Sequence, residues 1–242
     1  MRTLRDSWFM IRSDFRGDKL RILWISIGTI LFMGYLGGMT SLILNDALHT
    51  QDRMVVADFM LISLIPLLGF TVSRRTMKYF SEDSYTKMLA YMQSLPIDSK
   101  VILCKRKIQA VFTLCVNGML FFGIVYISSE DLRAELNIPS YIGFALTWIG
   151  YGLIATGLYI FIEYLVNGKA YLLITVLIVA FSMGISVLVM LAGGNLFFYS
   201  ISCSKEWGLL SPIMWGTLLL GTISVQLFSK WTIHRLKSRN LV

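Results

Sequence analysis

Charged residues are scarce in this sequence of 242 residues: 15% are Asp, Glu, Lys or Arg, whereas 56% are hydrophobic. Soluble globular domains contain about 25% charged residues, so the composition excludes an ordinary soluble fold. The charged residues also lie mostly between long apolar runs. We therefore predict an all-α, polytopic membrane protein whose main solvent is lipid.

Residue patterns that support catalysis or metal binding are also missing. The sequence has no HExxH motif and no GxxxxGK[ST] loop, and its two histidines, His49 and His234, lie far apart. The cysteines Cys104, Cys115 and Cys203 have spacings that fit neither a zinc site nor a disulfide framework. We expect no catalytic residue, no metal and no cofactor in this chain.

Six apolar runs are long enough to cross a bilayer. The hydrocarbon core is about 30 Å thick and requires roughly 20 residues of helix. Each run is predicted to be an α-helix, because backbone polar groups in lipid must be satisfied within the segment. The predicted spans are residues 22–44, 55–73, 108–128, 139–162, 170–192 and 209–229, which form a transmembrane domain of residues 22–229.

Lysine and arginine are distributed unevenly among the connections. With a cytoplasmic N-terminus, 19 of the 22 fall inside: six before the first span, eight in the loop 74–107, Lys169, and four in the basic tail 230–242. The residues left outside are Arg53, Arg133 and Lys205. This bias predicts cytoplasmic termini. Topology and contact with anionic lipid headgroups account for the net charge of +8, so nucleic-acid binding is not needed to explain it.

The N-terminal residues 1–21 have an amphipathic pattern. Leu4, Trp8, Ile11 and Phe15 recur at helical spacing, with basic residues on the other faces. This pattern predicts a helix that lies in the cytoplasmic interface of the membrane. Two roles remain open for it: a general membrane anchor, or a mechanical elbow that follows a partner protein.

The loop of residues 74–107 is the only long hydrophilic stretch. Ser81 is a candidate N-cap, and Pro96 ends the helix that follows. From Tyr85 onward, apolar residues at helical spacing make one face. A helix this short is marginal in water, so either lipid or a second protein must cover that face. After Pro96, Asp98 or Ser99 can cap a helix that continues into the third span.

The external segment of residues 193–208 is too apolar for a freely solvated loop. It contains Leu196, Phe197, Phe198 and Tyr199 in succession. We predict a short re-entrant or interfacial helix in this segment.

A few polar residues remain in the spans. Asp58 lies near the outer end of the second span and Glu163 at the inner end of the fourth, where water or headgroups could solvate them. The alternative is that either carboxylate binds a substrate or an ion. Asn117 and Gln226 are predicted to form hydrogen bonds between helices, and lining a pathway is the alternative for both.

Small residues indicate where helices approach each other closely. Gly34 and Gly38 make a GxxxG pair in the first span, and Gly152 with Gly157 opens a groove on the fourth. We expect close helix packing there, within the bundle or between two subunits.

These features together resemble one family, the type-2 permease subunits of ATP-binding-cassette (ABC) exporters. These are bacterial half-transporters that work in pairs with separate ATPase subunits. The most specific local match is SYTKMLAYMQSLPIDSKVILCKRKI, residues 84–108. It is similar to the family's pattern of a helix that ends in an SLPI or LPVS turn, followed by a capped basic helix. The resemblance covers nearly the whole chain in architecture and only this stretch in motif.

The resemblance implies a place for the chain in a larger transporter. The helix after Ser81 would be a coupling helix seated in a cleft of the ATPase, which would bind ATP and magnesium. Its contact residues would be Glu82, Asp83, Tyr85, Lys87, Met88, Leu89, Met92, Leu95 and Pro96. A second permease copy or a related permease would complete the transporter in the bacterial plasma membrane. Such a pair exports peptides, antibiotics or lipid-like solutes by alternating access.

A second function class fits the same pattern. A membrane scaffold or sensor could bind a cytoplasmic partner through the same helix without moving any solute. A membrane-embedded enzyme fits less well, because the spans contain few ionisable residues. The sequence does not specify the substrate, the direction of transport, homodimer versus heterodimer, the ATPase or the translocation pathway.

Overall fold

The regular structure of the described residues is entirely helical. The computed structural model describes residues 2–16, 19–50, 55–69 and 98–237. Its α-helices, numbered in chain order, are α1 (Arg2–Arg16), α2 (Lys19–Thr50), α3 (Val55–Leu67), α4 (Ser99–Ser128), α5 (Glu130–Glu135), α6 (Ile138–Leu165), α7 (Gly168–Leu191), α8 (Leu196–Trp207) and α9 (Pro212–Lys237). A 3-10 turn, Gly208–Leu210, joins α8 to α9.

Five of these helices, α2, α4, α6, α7 and α9, are long and apolar enough to cross a bilayer. The shortest, α7, has 24 residues. At 1.5 Å per residue it is about 36 Å long, which exceeds a hydrocarbon core of about 30 Å. The prediction of a helical, multi-pass membrane protein is confirmed at this level.

The second predicted span, residues 55–73, is described only in part. Its helix α3 has 13 residues and contains Pro66. This length is about 20 Å, shorter than the hydrocarbon core. Leu68 and Gly69 form a turn after the helix, and residues 70–73 lie outside the described part of the chain. A sixth span therefore stays a prediction.

The predicted coupling helix, residues 81–96, also lies outside the described residues. The same holds for its predicted ATPase contacts: Glu82, Asp83, Tyr85, Lys87, Met88, Leu89, Met92, Leu95 and Pro96. The helix expected to follow it is present, because α4 begins at Ser99. The Asp98 side chain caps it by accepting a hydrogen bond from the backbone N–H of Lys100 at 3.0 Å. The basic stretch and the third span are therefore one continuous helix.

Asparagine residues set the starts of three further helices. The side chains of Asn137, Asn167 and Asn195 cap α6, α7 and α8, each accepting a hydrogen bond from the backbone N–H three residues ahead at 2.9 to 3.0 Å. Such caps satisfy amides that have no partner within the helix. They allow the short connections between neighbouring helices. The segment 193–208 thus contains the helix α8, and a short helix is what the sequence predicts there.

Helix α6 is the centre of the bundle. In its most apolar stretch 44% of the residues are buried, compared with 11% in α2 and in α7. Aromatic rings from three helices meet on it: Phe144 lies 6.1 Å from Phe122 of α4 and 6.1 Å from Phe197 of α8, measured between ring centroids. The largest buried cluster therefore lies toward the α8 end of α6.

The closest helix packing is between α6 and α9. A Cβ on Gly150 would lie 2.5 Å from Thr217 Oγ1, and one on Gly221 would lie 2.6 Å from Leu153 Cβ. The Ser224 hydroxyl also donates to the carbonyl oxygen of Ile154 at 2.9 Å. Small residues at these positions let the two backbones approach each other.

The GxxxG pair in α2 differs from the close contact between α6 and α9. Among the described residues, nothing lies within 4 Å of a Cβ placed on Gly34 or Gly38. Their neighbour Gly37 makes the close approach instead, at 3.0 Å from Ile124 of α4. The predicted packing role of Gly34 and Gly38 is therefore not fulfilled within this part of the chain, because the packed face of α2 is rotated away from them.

The N-terminal helix α1 packs on the beginning of α4. The Ser7 hydroxyl donates to the carbonyl oxygen of Val101 at 3.0 Å, and Ile11 is buried beside it. Leu4 and Trp8, which share the predicted apolar stripe with Ile11, remain exposed. The side chain of Phe15 is not among those described. Within the apolar stripe, Ile11 is therefore buried against protein, whereas Leu4 and Trp8 are exposed.

Candidate functional site at the end of helix α3

Pro66 interrupts the hydrogen bonding of helix α3 one residue before the helix ends at Leu67. Proline has no N–H, so the carbonyl oxygen of Ile62, four residues earlier, lacks its helical donor. The hydroxyl of Tyr151 on α6 donates to that oxygen at 3.0 Å. A side chain from a neighbouring helix thus replaces the missing backbone hydrogen bond.

A second side chain satisfies the turn that follows. The amide Nδ2 of Asn117 on α4 donates to the carbonyl oxygen of Leu68 at 2.8 Å, and Asn117 is buried. Backbone hydrogen bonds from Leu68 N to Ile65 O and from Gly69 N to Pro66 O complete the turn. Buried backbone at membrane depth needs such partners, because water is absent. The predicted hydrogen bond from Asn117 between helices is present.

Beyond this turn lies a buried ion pair between α4 and α6. The guanidinium of Arg106 donates from Nη2 to Glu163 Oε2 at 2.8 Å, and from Nε to both carboxylate oxygens at 3.1 and 3.2 Å. The side chains are only 16% and 6% exposed. Such bidentate geometry is the strongest form of Arg–carboxylate contact. The structure differs from the expected solvated position of Glu163, because Arg106 supplies the compensating charge.

A small cavity joins the turn to the ion pair. It has room for about one water molecule. Its lining residues are Pro66, Gly69, Arg106, Ala110, Thr156, Tyr159, Ile160 and Glu163. A Cβ on Gly69 would lie 3.0 Å from Thr156 Oγ1, so the turn lies directly against α6. The ion pair and the Thr156 hydroxyl therefore share a small, mainly apolar cavity with the turn at the end of α3.

Asp58 lies at the other end of α3 and belongs to a separate arrangement. Its carboxylate accepts hydrogen bonds from the backbone N–H groups of Leu196 at 2.9 Å and Phe197 at 2.8 Å. These groups begin α8, where a negative charge is favoured by the helix dipole. Asp58 is 2% exposed, so the structure differs from the expected solvated carboxylate. Helix α8 therefore begins in direct contact with Asp58 of α3.

The remaining predicted pathway residue lies elsewhere. Gln226 is exposed on α9, and its side chain forms no hydrogen bond within the described ranges. The structure therefore brings Asn117 and Glu163 to the end of α3, and leaves Asp58 and Gln226 apart from it. Three contributors were not singled out from the sequence: Pro66, Arg106 and Tyr151. Only Pro66, inside an apolar run, carried a local signal.

No protein-family model, curated protein or solved structure matches this chain. The functional argument therefore rests on the residues and their arrangement.

Proposed function

We propose that this chain is the membrane-spanning permease subunit of an ATP-binding-cassette exporter, which moves a peptide, antibiotic or lipid-like solute by alternating access. A separate ATPase subunit, which binds ATP and magnesium, drives the movement. A second permease, identical or related, completes the transporter in the bacterial plasma membrane.

The observation that carries the proposal is the end of α3 beside Arg106 and Glu163. Ionisable residues within a helical bundle are costly, and they mark substrate or ion pathways in membrane proteins. Discontinuous helices with irregular backbone at the same depth are a recurring feature of transporter binding regions. The region around the end of α3 combines a buried ion pair with an interrupted helix, which supports transport over a purely structural role.

The position at which α4 begins supports a link to a cytoplasmic ATPase. The helix begins at Ser99, directly after the segment with the sequence pattern of a coupling helix. It reaches Arg106 about 11 Å further along, at 1.5 Å per residue. A displacement of the preceding segment would therefore be transmitted along one continuous helix to the ion pair.

Copurification tests this proposal. The chain is expected to copurify in mild detergent with a soluble P-loop ATPase. ATP-driven transport is expected to require the chain. Leu89→Asp and Leu95→Asp place a charge on the predicted apolar face and should abolish both. Ser94→Asp, on the opposite face by helical spacing, is the matched control and should retain both.

Two outcomes would contradict the proposal. A lone oligomer that never binds an ATPase would exclude an ABC permease. Partner binding that depends on Leu89 and Leu95 without any flux or substrate-stimulated ATP hydrolysis would instead favour a scaffold or sensor.

A further inference from the structure

The ion pair between Arg106 and Glu163 joins α4 to α6 beside a small apolar cluster. Among the described residues, this cluster contains three buried apolar residues, Leu103, Ala110 and Ile160, with Tyr164 and Ile233 packed against them. The cluster toward α8 is far larger and contains aromatic rings in contact with one another. Within the described part of the chain, the contact between α4 and α6 is therefore mainly apolar at the α8 end, whereas at the other end a smaller apolar cluster is combined with the ion pair.

The pair also lines a small cavity at the end of α3. Thr156 and Gly69 line the same cavity, with Gly69 in the turn after the helix. In the structure the pair is closed, with both side chains largely buried. If the two side chains separated, each would regain hydration that burial has removed, which offsets part of the lost attraction. Separation would also widen the cavity for water at the end of α3.

We infer that Arg106 and Glu163 form a latch that holds the α4 and α6 helices together on the cytoplasmic side and closes the cavity at the end of α3. Its use, to admit solute from the cytoplasm, rests on the proposed function. Its existence does not, because opening and closing can be measured without an ATPase.

Cysteine accessibility tests the latch. The three native cysteines, Cys104, Cys115 and Cys203, are first replaced by alanine in the full chain. Thr156→Cys then places a thiol behind the ion pair, and a membrane-impermeant maleimide is added from the cytoplasmic side. Thiols react as thiolates, so a thiol in a dry environment reacts slowly.

Thr232→Cys is the matched control. Thr156 and Thr232 are both buried helical threonines whose hydroxyls donate to the carbonyl four residues earlier, each at 2.7 Å. Thr232 lies near the predicted cytoplasmic end of α9 and does not line the cavity. A rise in reactivity at both positions would indicate general loosening of the bundle and would overturn the inference.

Glu163→Gln is expected to raise the labelling rate at position 156 about tenfold or more, since it removes the charge attraction that favours the closed arrangement. The double variant Arg106→Gln with Glu163→Gln should do the same without leaving a buried charge uncompensated. This second variant keeps the test valid if the first fails to fold. The exchange Arg106→Glu with Glu163→Arg restores the opposite charges and should return the rate to near the starting value.

Unchanged labelling in the double variant would overturn the latch, and so would an exchanged pair that labels as fast as Glu163→Gln. If the latch behaves as expected but the chain never binds an ATPase, only the proposed function is contradicted. The two ideas are thus separable by experiment.

Discussion

The hydroxyl of Tyr151 lies 3.0 Å from the carbonyl oxygen of Ile62, the atom that Pro66 deprives of its helical donor. The last turns of α3 are therefore stabilised by Tyr151 of α6, a residue 89 positions away from Ile62 in the sequence. The end of α3 and the position of α6 depend on each other through this contact.

Tyr151→Phe is expected to lower the free energy of unfolding by about 1–3 kcal/mol, because a buried carbonyl loses its partner. Thermal unfolding in detergent measures the change as a lower Tm. Tyr199→Phe, at a site 62% exposed, is the control and should have little effect. Equal effects at both positions would contradict the assignment.

Pro66→Ala should suppress the cost of Tyr151→Phe. Alanine restores an N–H that can bond Ile62 within the helix, so the tyrosine hydroxyl becomes dispensable. A double-mutant cycle on Tm measures the coupling between the two positions. Strictly additive effects would show that the tyrosine does not replace the missing helical hydrogen bond.

Asn117→Leu should destabilise the bundle by about 1–2 kcal/mol, since it removes the donor to the carbonyl oxygen of Leu68. Gln226→Leu is the matched control, because Gln226 is exposed on α9. The comparison uses thermal unfolding of both variants in the same detergent. If the Gln226 variant lost more stability, Gln226 would have a partner beyond this chain.

Asp58→Asn should destabilise helix α8. Asparagine offers one acceptor oxygen in place of two and removes the negative charge at the helix N-terminus. The expected cost is about 1.5–3 kcal/mol, the range for hydrogen bonds to charged groups. Faster hydrogen exchange in Leu196–Trp207 is the direct measurement.

Asp46→Asn supplies the control for that experiment, because Asp46 is exposed on α2. It should leave exchange in α8 unchanged. An Asp58 variant with normal exchange in α8 would show that the carboxylate does not stabilise this helix.

Gly221→Ala should destabilise the bundle by about 1–3 kcal/mol, as expected for overpacking. Its Cβ would lie 2.6 Å from Leu153 Cβ and 2.8 Å from the carbonyl oxygen of Gly150. Gly216→Ala on the same helix is the control, since nothing among the described residues lies within 4 Å of its Cβ. That variant should be neutral or slightly stabilising. Similar Tm values for the two would contradict the close contact between α6 and α9.

Apolar length and local caps were sufficient to predict much of the fold. Five of the predicted spans correspond to long helices, and Asp98 caps α4 as the sequence indicates. These features depend on neighbours along the chain, so a single sequence carries them. The hydrogen bond that Pro66 removes from α3 is replaced by Tyr151 of α6, a partner that no local pattern indicates.

The sequence singles out Asn117 and Glu163 of the candidate site, but their partners could not be predicted, because these contacts join distant residues. Arg106 lies in a basic run that topology alone explains, and nothing local pairs it with Glu163, 57 positions away. Glycine spacing was similarly insufficient: Gly34 and Gly38 fit a packing motif, yet Gly37 makes the close approach. Rotation of a helix about its axis is set by its neighbours.

The contact between α6 and α9 limits how the bundle can move. The backbones of the two helices lie so close at Gly150 and Gly221 that an added Cβ would clash. Packing this tight resists a change in the spacing between α6 and α9, so we expect the two helices to move together. Because Glu163 is on α6, we expect its separation from Arg106 to shift α4 relative to both helices.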